Sequence, residues 1–378
     1  MKKLALVSMI GLVLAGCGGG GSDDNGGQTQ PQPKAVMGTI ESVQSNNIWV
    51  NGDKYTVSSV GYGNLNDVMA PTALAPNMMV KLVEHARAGV EVQLEPTMIG
   101  MASEVSGNNF KVNGVALTFN GLKGIENGDW VLVSSLPTAT EGYKVLSVVK
   151  IEADKFDNTV EIEGPVSNLD ENTTTFKLGA ALTVNYNTAK MDLDSALAND
   201  LWVEVTGKMN GATNELDATE VEADDYDDLG NEAEVEGIIT AVNHSESYFE
   251  VNYRGRFNFD HSTEVELAND RDGSIADIKL GLQVEVESVL RNGQRFATDV
   301  EFDNYAGNQW QTFEQEGQAA EGTEAGSFKL NGMTIFTDSK TRYEDGLTFD
   351  SLTQVGLIEV DGVVINGKKV AREIERED

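Results

Sequence analysis

Apolar and polar residues alternate through Gly38 to Gly52, GTIESVQSNNIWVNG, and the same alternation returns four more times along the chain. Each copy opens on a glycine (Gly38, Gly100, Gly164, Gly237 or Gly317) and runs as a period-two strand to a turn about thirteen residues later, which predicts a β-hairpin. The runs before the turn are Ile48-Trp49-Val50, Phe110-Lys111-Val112, Phe176-Lys177-Leu178, Phe249-Glu250-Val251 and Phe328-Lys329-Leu330. Three copies then carry Asn-Gly, at Asn51-Gly52, Asn113-Gly114 and Asn331-Gly332, a pair that accepts the positive φ angles of a type I′ turn. The third copy has Gly179-Ala180, and the fourth has Asn252-Tyr253-Arg254-Gly255, which predicts a longer turn.

A second half recurs behind each hairpin. A single apolar residue (Leu74, Ile125, Leu197, Ile278 or Leu352) stands six positions before a new strand, which starts at Val80, Val131, Val203, Val284 or Ile358. Short stretches such as Asp194-Ser195-Ala196-Leu197 precede these strands, and their Ser or Asp can cap one or two helical turns, leaving the apolar residue to plug one end of the sheet. The new strand turns at a glycine (Gly89, Gly142, Gly211, Gly293 or Gly367) into a last strand such as Ala218-Thr219-Glu220-Val221.

Three strands, a short helical connection and two more strands is the order of a five-stranded, partly open Greek-key barrel of the OB type. The expected fold is therefore all-β: five tandem OB-like barrels over residues 35–96, 97–154, 155–224, 232–303 and 313–378. An antiparallel sandwich shares the alternation, and periodicity alone does not separate the two. The acidic run Asp224-Asp225-Tyr226-Asp227-Asp228 and the stretch Asn304 to Thr312 read as linkers between copies.

The first sixteen residues read as a signal peptide, with Lys2 and Lys3 ahead of an apolar run from Leu4 to Leu14 that is short for a membrane span. Leu14-Ala15-Gly16-Cys17 resembles the lipobox of bacterial lipoproteins, which implies cleavage before Cys17 and lipidation of its thiol. Cys17 is the single cysteine, so disulfides and cysteine-based metal sites are excluded. By the same resemblance, Gly18 in place of an aspartate implies the outer membrane of a Gram-negative cell rather than the inner one. Residues 18–34 hold Gly, Ser, Gln and Pro without an apolar period and read as a flexible tether spanning about 20–25 Å.

Charge narrows the partners. Loss of Lys2 and Lys3 with the signal peptide takes the net charge from −34 to −36, a surface that repels phosphate backbones and argues against nucleic acid. Arg254, Arg256, Arg271, Arg291 and Arg295 gather in the fourth copy, where neighbouring acids such as Asp270, Asp272 and Glu287 can pair with them. Asn269-Asp270-Arg271-Asp272-Gly273 has the alternation of a calcium loop, but Ala268 and Lys279 occupy its first and twelfth ligand positions, and a polar turn capped by Ser274 accounts for it. His85, His244 and His261 share no spacing, so no catalytic or metal triad assembles and no cofactor is implied. Trp49, Phe110, Phe176, Phe249 and Phe328 could form a stacking platform, but their alternation with polar neighbours places them in the core.

The Gly-x-Ile/Val opening, the Phe-x-Val-Asn-Gly turn and the later Val-Glu-Val strand resemble the bacterial family of domain of unknown function 5666, over nearly all of the mature chain. The resemblance implies repeated OB-like modules in lipoproteins and secreted proteins, without an activity. The expectation is a non-enzymatic protein held to the membrane by its lipid and presenting its modules to an envelope protein or glycan. A passive spacer is the alternative.

Overall fold

The computed structural model describes residues 35–85, 89–179, 181–193, 195–223, 226, 229–267, 271–302 and 310–377. The lipobox with Cys17, the tether at 18–34, and Asn269 and Asp270 lie outside these residues. The described chain is mostly strand, with a few short 3-10 turns, in five tandem units.

Unit 1 contains β1 (Ala35–Gln44), β2 (Asn47–Val50), β3 (Asp53–Gly61), β4 (Met79–His85) and β5 (Gly89–Leu94). Unit 2 contains β6 (Met98–Ser106), β7 (Asn109–Val112), β8 (Val115–Thr118), β9 (Trp130–Pro137) and β10 (Tyr143–Lys150). Unit 3 contains β11 (Val160–Pro165), β12 (Ser167–Asp170), β13 (Thr175–Leu178), β14 (Leu182–Asn185), β15 (Lys190–Asp192), β16 (Trp202–Asn210) and β17 (Glu215–Ala223). Unit 4 contains β18 (Glu232–Asn243), β19 (Tyr248–Val251), β20 (Gly255–Asn258), β21 (Glu264–Leu267), β22 (Arg271–Asp272), β23 (Gln283–Arg291) and β24 (Gln294–Phe302). Unit 5 contains β25 (Thr312–Glu321), β26 (Ser327–Leu330), β27 (Met333–Phe336), β28 (Arg342–Tyr343), β29 (Leu357–Ile365) and β30 (Lys368–Arg376).

The three Asn-Gly pairs make the turns they predict: Asn51 and Gly52, Asn113 and Gly114, and Asn331 and Gly332 all have positive φ, as a type I′ turn requires. In unit 4 Val251 pairs with Gly255, so the loop is one residue longer, with Asn252 and Tyr253 both left-handed. The helical connection is narrower than expected. Short 3-10 turns stand at Pro71–Ala73, Ile275–Asp277 and Phe349–Gln354, but none stands at the equivalent place in units 2 and 3 among the described residues. The plug residues Leu74, Ile278 and Leu352 are buried, whereas Ile125 and Leu197, which lack the helical turn, are only half-buried.

Separate closed barrels are not what the chain builds. The N-terminal half of β1 is flanked by β4 on one side and runs parallel to β18 on the other, with Ala35, Val36 and Met37 opposite Ala233, Glu234 and Val235. In the same way β6 pairs with β11, Ile99 opposite Glu161. Units 1 and 4 thereby share one twelve-stranded sheet, units 2 and 3 share another, and unit 5 keeps a sheet of six. The physical cause is the length of the opening strands: their ends outrun the hairpin, and the unpaired backbone groups are satisfied by a neighbouring unit.

The cores join units both within a sheet and between sheets. One apolar cluster joins Phe110 and Val131 of unit 2 to Phe176 and Val203 of unit 3. A second joins Ala35 and Met37 to the core of unit 4, and a third joins Ile99, Leu132 and Phe156 to that of unit 1. The architecture is a continuous repeat array, closer to a β-solenoid than to beads on a string.

Two readings of single residues are corrected. In unit 1 the core position belongs to Ile48, which is fully buried, while Trp49 is half-buried on the other face beneath Lys54 Nζ at 5.4 Å. Counting back from Asn-Gly, Ile48 and not Trp49 is the equivalent of Phe110, and a one-residue offset reverses the face of a strand. In the acidic run read as a solvated linker, Tyr226 is the one described residue, and it is buried, with its ring 5.4 Å from that of Phe257.

Candidate functional site

Antiparallel pairing of β11 with β16 sets Glu163 directly opposite Glu204, with Glu161 two residues along on the same face. The opposite face of these strands, Val160, Ile162, Val203 and Val205, fills the core shared by units 2 and 3. The carboxylates therefore point away from that core, into the junction between units, where Glu161 is fully buried and Glu163 and Glu204 are 3% exposed.

Three neighbouring units reach this junction. From unit 1, the Tyr62 hydroxyl donates to Glu161 Oε2. From unit 4, Arg254 Nη2 donates to Glu163 Oε2 at 2.6 Å, with both side chains 3% exposed. From unit 2, the Tyr143 hydroxyl donates to the Glu163 carbonyl at 2.7 Å, and burial pushes its phenol well above the ordinary range. Beside them Trp202 stacks on Tyr253 at 5.1 Å, which in turn faces Trp310 at 6.1 Å. One oxygen from each of Glu161, Glu163 and Glu204 lies within 4.8 Å of the others, an oxygen-only set of the kind hard divalent cations accept. Sealed from solvent and tied to three other units, this hub braces the array.

The same strand positions carry carboxylates in units 4 and 5. Glu236 stands opposite Glu285, and Glu285 opposite Glu301; Glu234 stands opposite Glu287, and Glu287 opposite Asp299. In unit 5 Glu314 stands opposite Asp361, and Asp361 opposite Glu373; Glu316 stands opposite Glu359, and Glu359 opposite Glu375. Like charges directly opposite one another disfavour ionisation. Burial, then Glu234, pushes Glu285 up to about 9. Burial, then neighbouring acids, raises Glu359 to about 7 and Asp361 to about 6, and burial raises Glu373 to about 8 against the opposing pull of Arg342.

These rows have a sequence signature. Glu161-Ile162-Glu163-Gly164, Glu234-Val235-Glu236-Gly237 and Glu314-Gln315-Glu316-Gly317 each place two acids before the opening glycine. Units 1 and 2 have Ala35-Val36-Met37-Gly38 and Thr97-Met98-Ile99-Gly100 there.

Between units 4 and 5 lies a cleft of about 220 Å³, walled by Val242, Ile278 and Leu280 on one side and by Arg342, Asp361 and Glu373 on the other.

Residues 163–222, 236–301 and 317–375 match the model of one family, the domain of unknown function DUF5666. These three units are DUF5666 domains. The resemblance expected over nearly all of the mature chain is matched over units 3 to 5, and these are the units that carry the carboxylate rows. Among curated proteins no significant match is found.

The DUF5666 domains scatter the arginines grouped by the sequence. Arg254 and Arg295 are buried; Arg295 donates to Ser288 Oγ and to the carbonyls of Tyr226 and Gly230. Arg291 pairs with Asp260 at 2.9 Å, and exposed Arg256 lies 3.6 Å over the Tyr248 ring. Arg254 and Arg291 thus find acids other than the neighbours expected for them, and two of the five cations are unavailable to any surface ligand. Of the calcium-like loop, Arg271 and Asp272 form β22 beside Leu267 and Glu266, and Ser274 closes a capping box with Asp277. Lys279 pairs with Glu314 across the mouth of the cleft at 2.7 Å. His244 lines the cleft and His261 is exposed, far apart in role, while the side chain of His85 lies outside those described. Phe110, Phe176, Phe249 and Phe328 are core residues.

Proposed function

We propose that the protein is a non-enzymatic, lipid-anchored component of the Gram-negative outer membrane, whose tandem units are OB-like modules presented as one rigid array to a protein or glycan. Leu14-Ala15-Gly16-Cys17 supports the anchor, and residues 18–34 supply reach beyond the head groups. The module reading is supported by the strand connections: in unit 1, β1 pairs with β2 and β4, β2 with β3, and β5 with both β3 and β4, the order of a five-stranded OB ring.

The observation that carries the array reading is the hub. The best-formed polar centre, Glu161, Glu163 and Glu204, faces inward and is spent on Tyr62 and Arg254 of other units instead of on a substrate. The same rigidity favours a second reading, a spacer that sets distance from the membrane. The net charge of −34 opposes a nucleic acid partner in both readings.

Palmitate labelling of cells tests the anchor: wild-type protein takes label and Cys17→Ser does not, and equal labelling of the two contradicts it. Glycan-array and pull-down experiments with residues 35–378 separate the two readings. A saturable partner supports presentation, and none across both supports the spacer.

A further inference from the structure

The cleft between units 4 and 5 brings together an opening to solvent, an apolar wall and a buried carboxylate oxygen without a donor. Glu373 is 7% exposed, and its Oε1 has no hydrogen-bond donor among the described residues. Its other oxygen lies 3.5 Å from Arg342 Nη2, a guanidinium nitrogen already donating to the Val242 carbonyl at 3.1 Å. Leaving a buried carboxylate oxygen without a donor is costly, so a group that supplies one gains the whole of that penalty.

The bases around the cleft are mostly paired already. Lys279 pairs with Glu314, and Arg372 donates to Asp338 at 3.1 Å. That leaves Arg342 facing the unit 5 carboxylates Glu359, Asp361 and Glu373, which lie on the two adjacent strands β29 and β30. Opposite them Val242 and Leu280, backed by the buried Ile278, offer a hydrocarbon surface from unit 4. A cavity of about 220 Å³ is smaller than the roughly 300–1,000 Å³ of drug-sized pockets, so its occupant is small.

We propose that this cleft binds a small alkylammonium compound, such as a linear diamine, with its ammonium donating to Glu373 Oε1 and Asp361 and its methylenes against Val242 and Leu280. An ammonium offers three donors and no acceptor, which matches an acceptor-rich floor, and a short aliphatic chain matches the wall. The site is independent of the anchoring reading. Its carboxyls must be ionised to hold the cation. Those facing Glu373 are Glu344, Asp361 and Glu375, with Arg342 opposing; Glu314 and Glu375 face Asp361, with Lys279 opposing; Asp361, Glu314 and Glu377 face Glu359; and His244 closes the unit 4 side. Burial and these neighbours hold the three acids above their ordinary range, so binding strengthens as pH rises from 5 to 8.5.

Titration calorimetry of the purified chain with putrescine at pH 8.5 tests the site. One equivalent of diamine binds. Glu373→Gln weakens binding by about tenfold or more, the scale of losing one charge-assisted hydrogen bond. Ala276→Trp, which fills the cleft from its exposed unit 4 rim without touching an acid, abolishes binding. Glu264→Gln, an exposed acid in β21 outside the cleft, leaves affinity within about twofold, the scale of a surface charge change. Absence of putrescine binding, equal affinity in Glu373→Gln, or displacement of putrescine by glutamate each overturns the proposal. Calcium binding that depends on Glu373 in place of diamine binding overturns it too, because the site is then one for a metal.

Discussion

The side chain of Asn113 lies across Gly100, so close that a Cβ placed on that glycine stands 2.0 Å from Oδ1. Asn113 holds a left-handed turn and at the same time reaches back to the opening strand: Met101 N donates to its Oδ1 at 3.3 Å, and its Nδ2 donates to the Ile99 carbonyl at 3.0 Å. Gly38 with Asn51, Gly237 with Asn252 and Gly317 with Asn331 repeat the contact. Turn and opening glycine are therefore one device, and each explains the other. Gly100→Ala is expected to expel the Asn113 carboxamide and lose its hydrogen bonds, costing about 1–3 kcal/mol. In denaturant titrations, adding Asn113→Ala to Gly100→Ala then costs much less than Asn113→Ala alone. Strict additivity of the two substitutions contradicts the device.

Removing Arg254 leaves Glu163 buried beside Glu161 and Glu204. Arg254→Met is expected to destabilise the chain by about 3–5 kcal/mol, the usual cost of breaking a buried pair from one side. Glu163→Met in the same background recovers most of that loss, because well-packed apolar residues replace a buried pair at little cost. Chemical denaturation of the single and double variants measures both. A single variant within about 1 kcal/mol of wild type shows that the pair is more hydrated than its 3% exposure indicates.

The acids of unit 5 give stability an uncommon pH slope. Glu359, Asp361 and Glu373 bind protons more tightly folded, near 7, 6 and 8, than in the unfolded chain, where carboxyls titrate near 4. Between about pH 4 and 8 the folded state holds more protons, so their contribution is fully present below the unfolded pKa and is lost as pH rises to 8. Thermal melts followed from pH 5 to 8.5 are expected to show this decline in the unit 5 signal, and Glu373→Gln is expected to flatten it. A melting temperature that rises over this range in both proteins contradicts the assignment.

Local chemistry made much of the repeat legible. Asn-Gly needs positive φ, alternation needs a half-buried strand, and Leu74, Ile278 and Leu352 sit where a plug is required. Long-range pairing left weaker traces. Tyr62 meets Glu161 across 99 residues, and Arg254 meets Glu163 across 91; a sequence with sixty-one acids gives no reason to prefer these partners. The Glu-x-Glu-Gly repeat was the available signal for the carboxylate rows, hidden because acids on a strand ordinarily face solvent. The joining of β1 to β18 and β6 to β11 depends on strand ends that outrun their hairpins, which alternation does not count.

Scanning calorimetry of residues 35–378 tests the continuous array most directly. Shared sheets and the hub make units 1 to 4 unfold as one cooperative transition, with unit 5, which keeps its own sheet, free to melt separately. That transition moves as a whole to lower temperature in Arg254→Met. Separate transitions for single units among the first four, only one of them shifted by Arg254→Met, contradict the account.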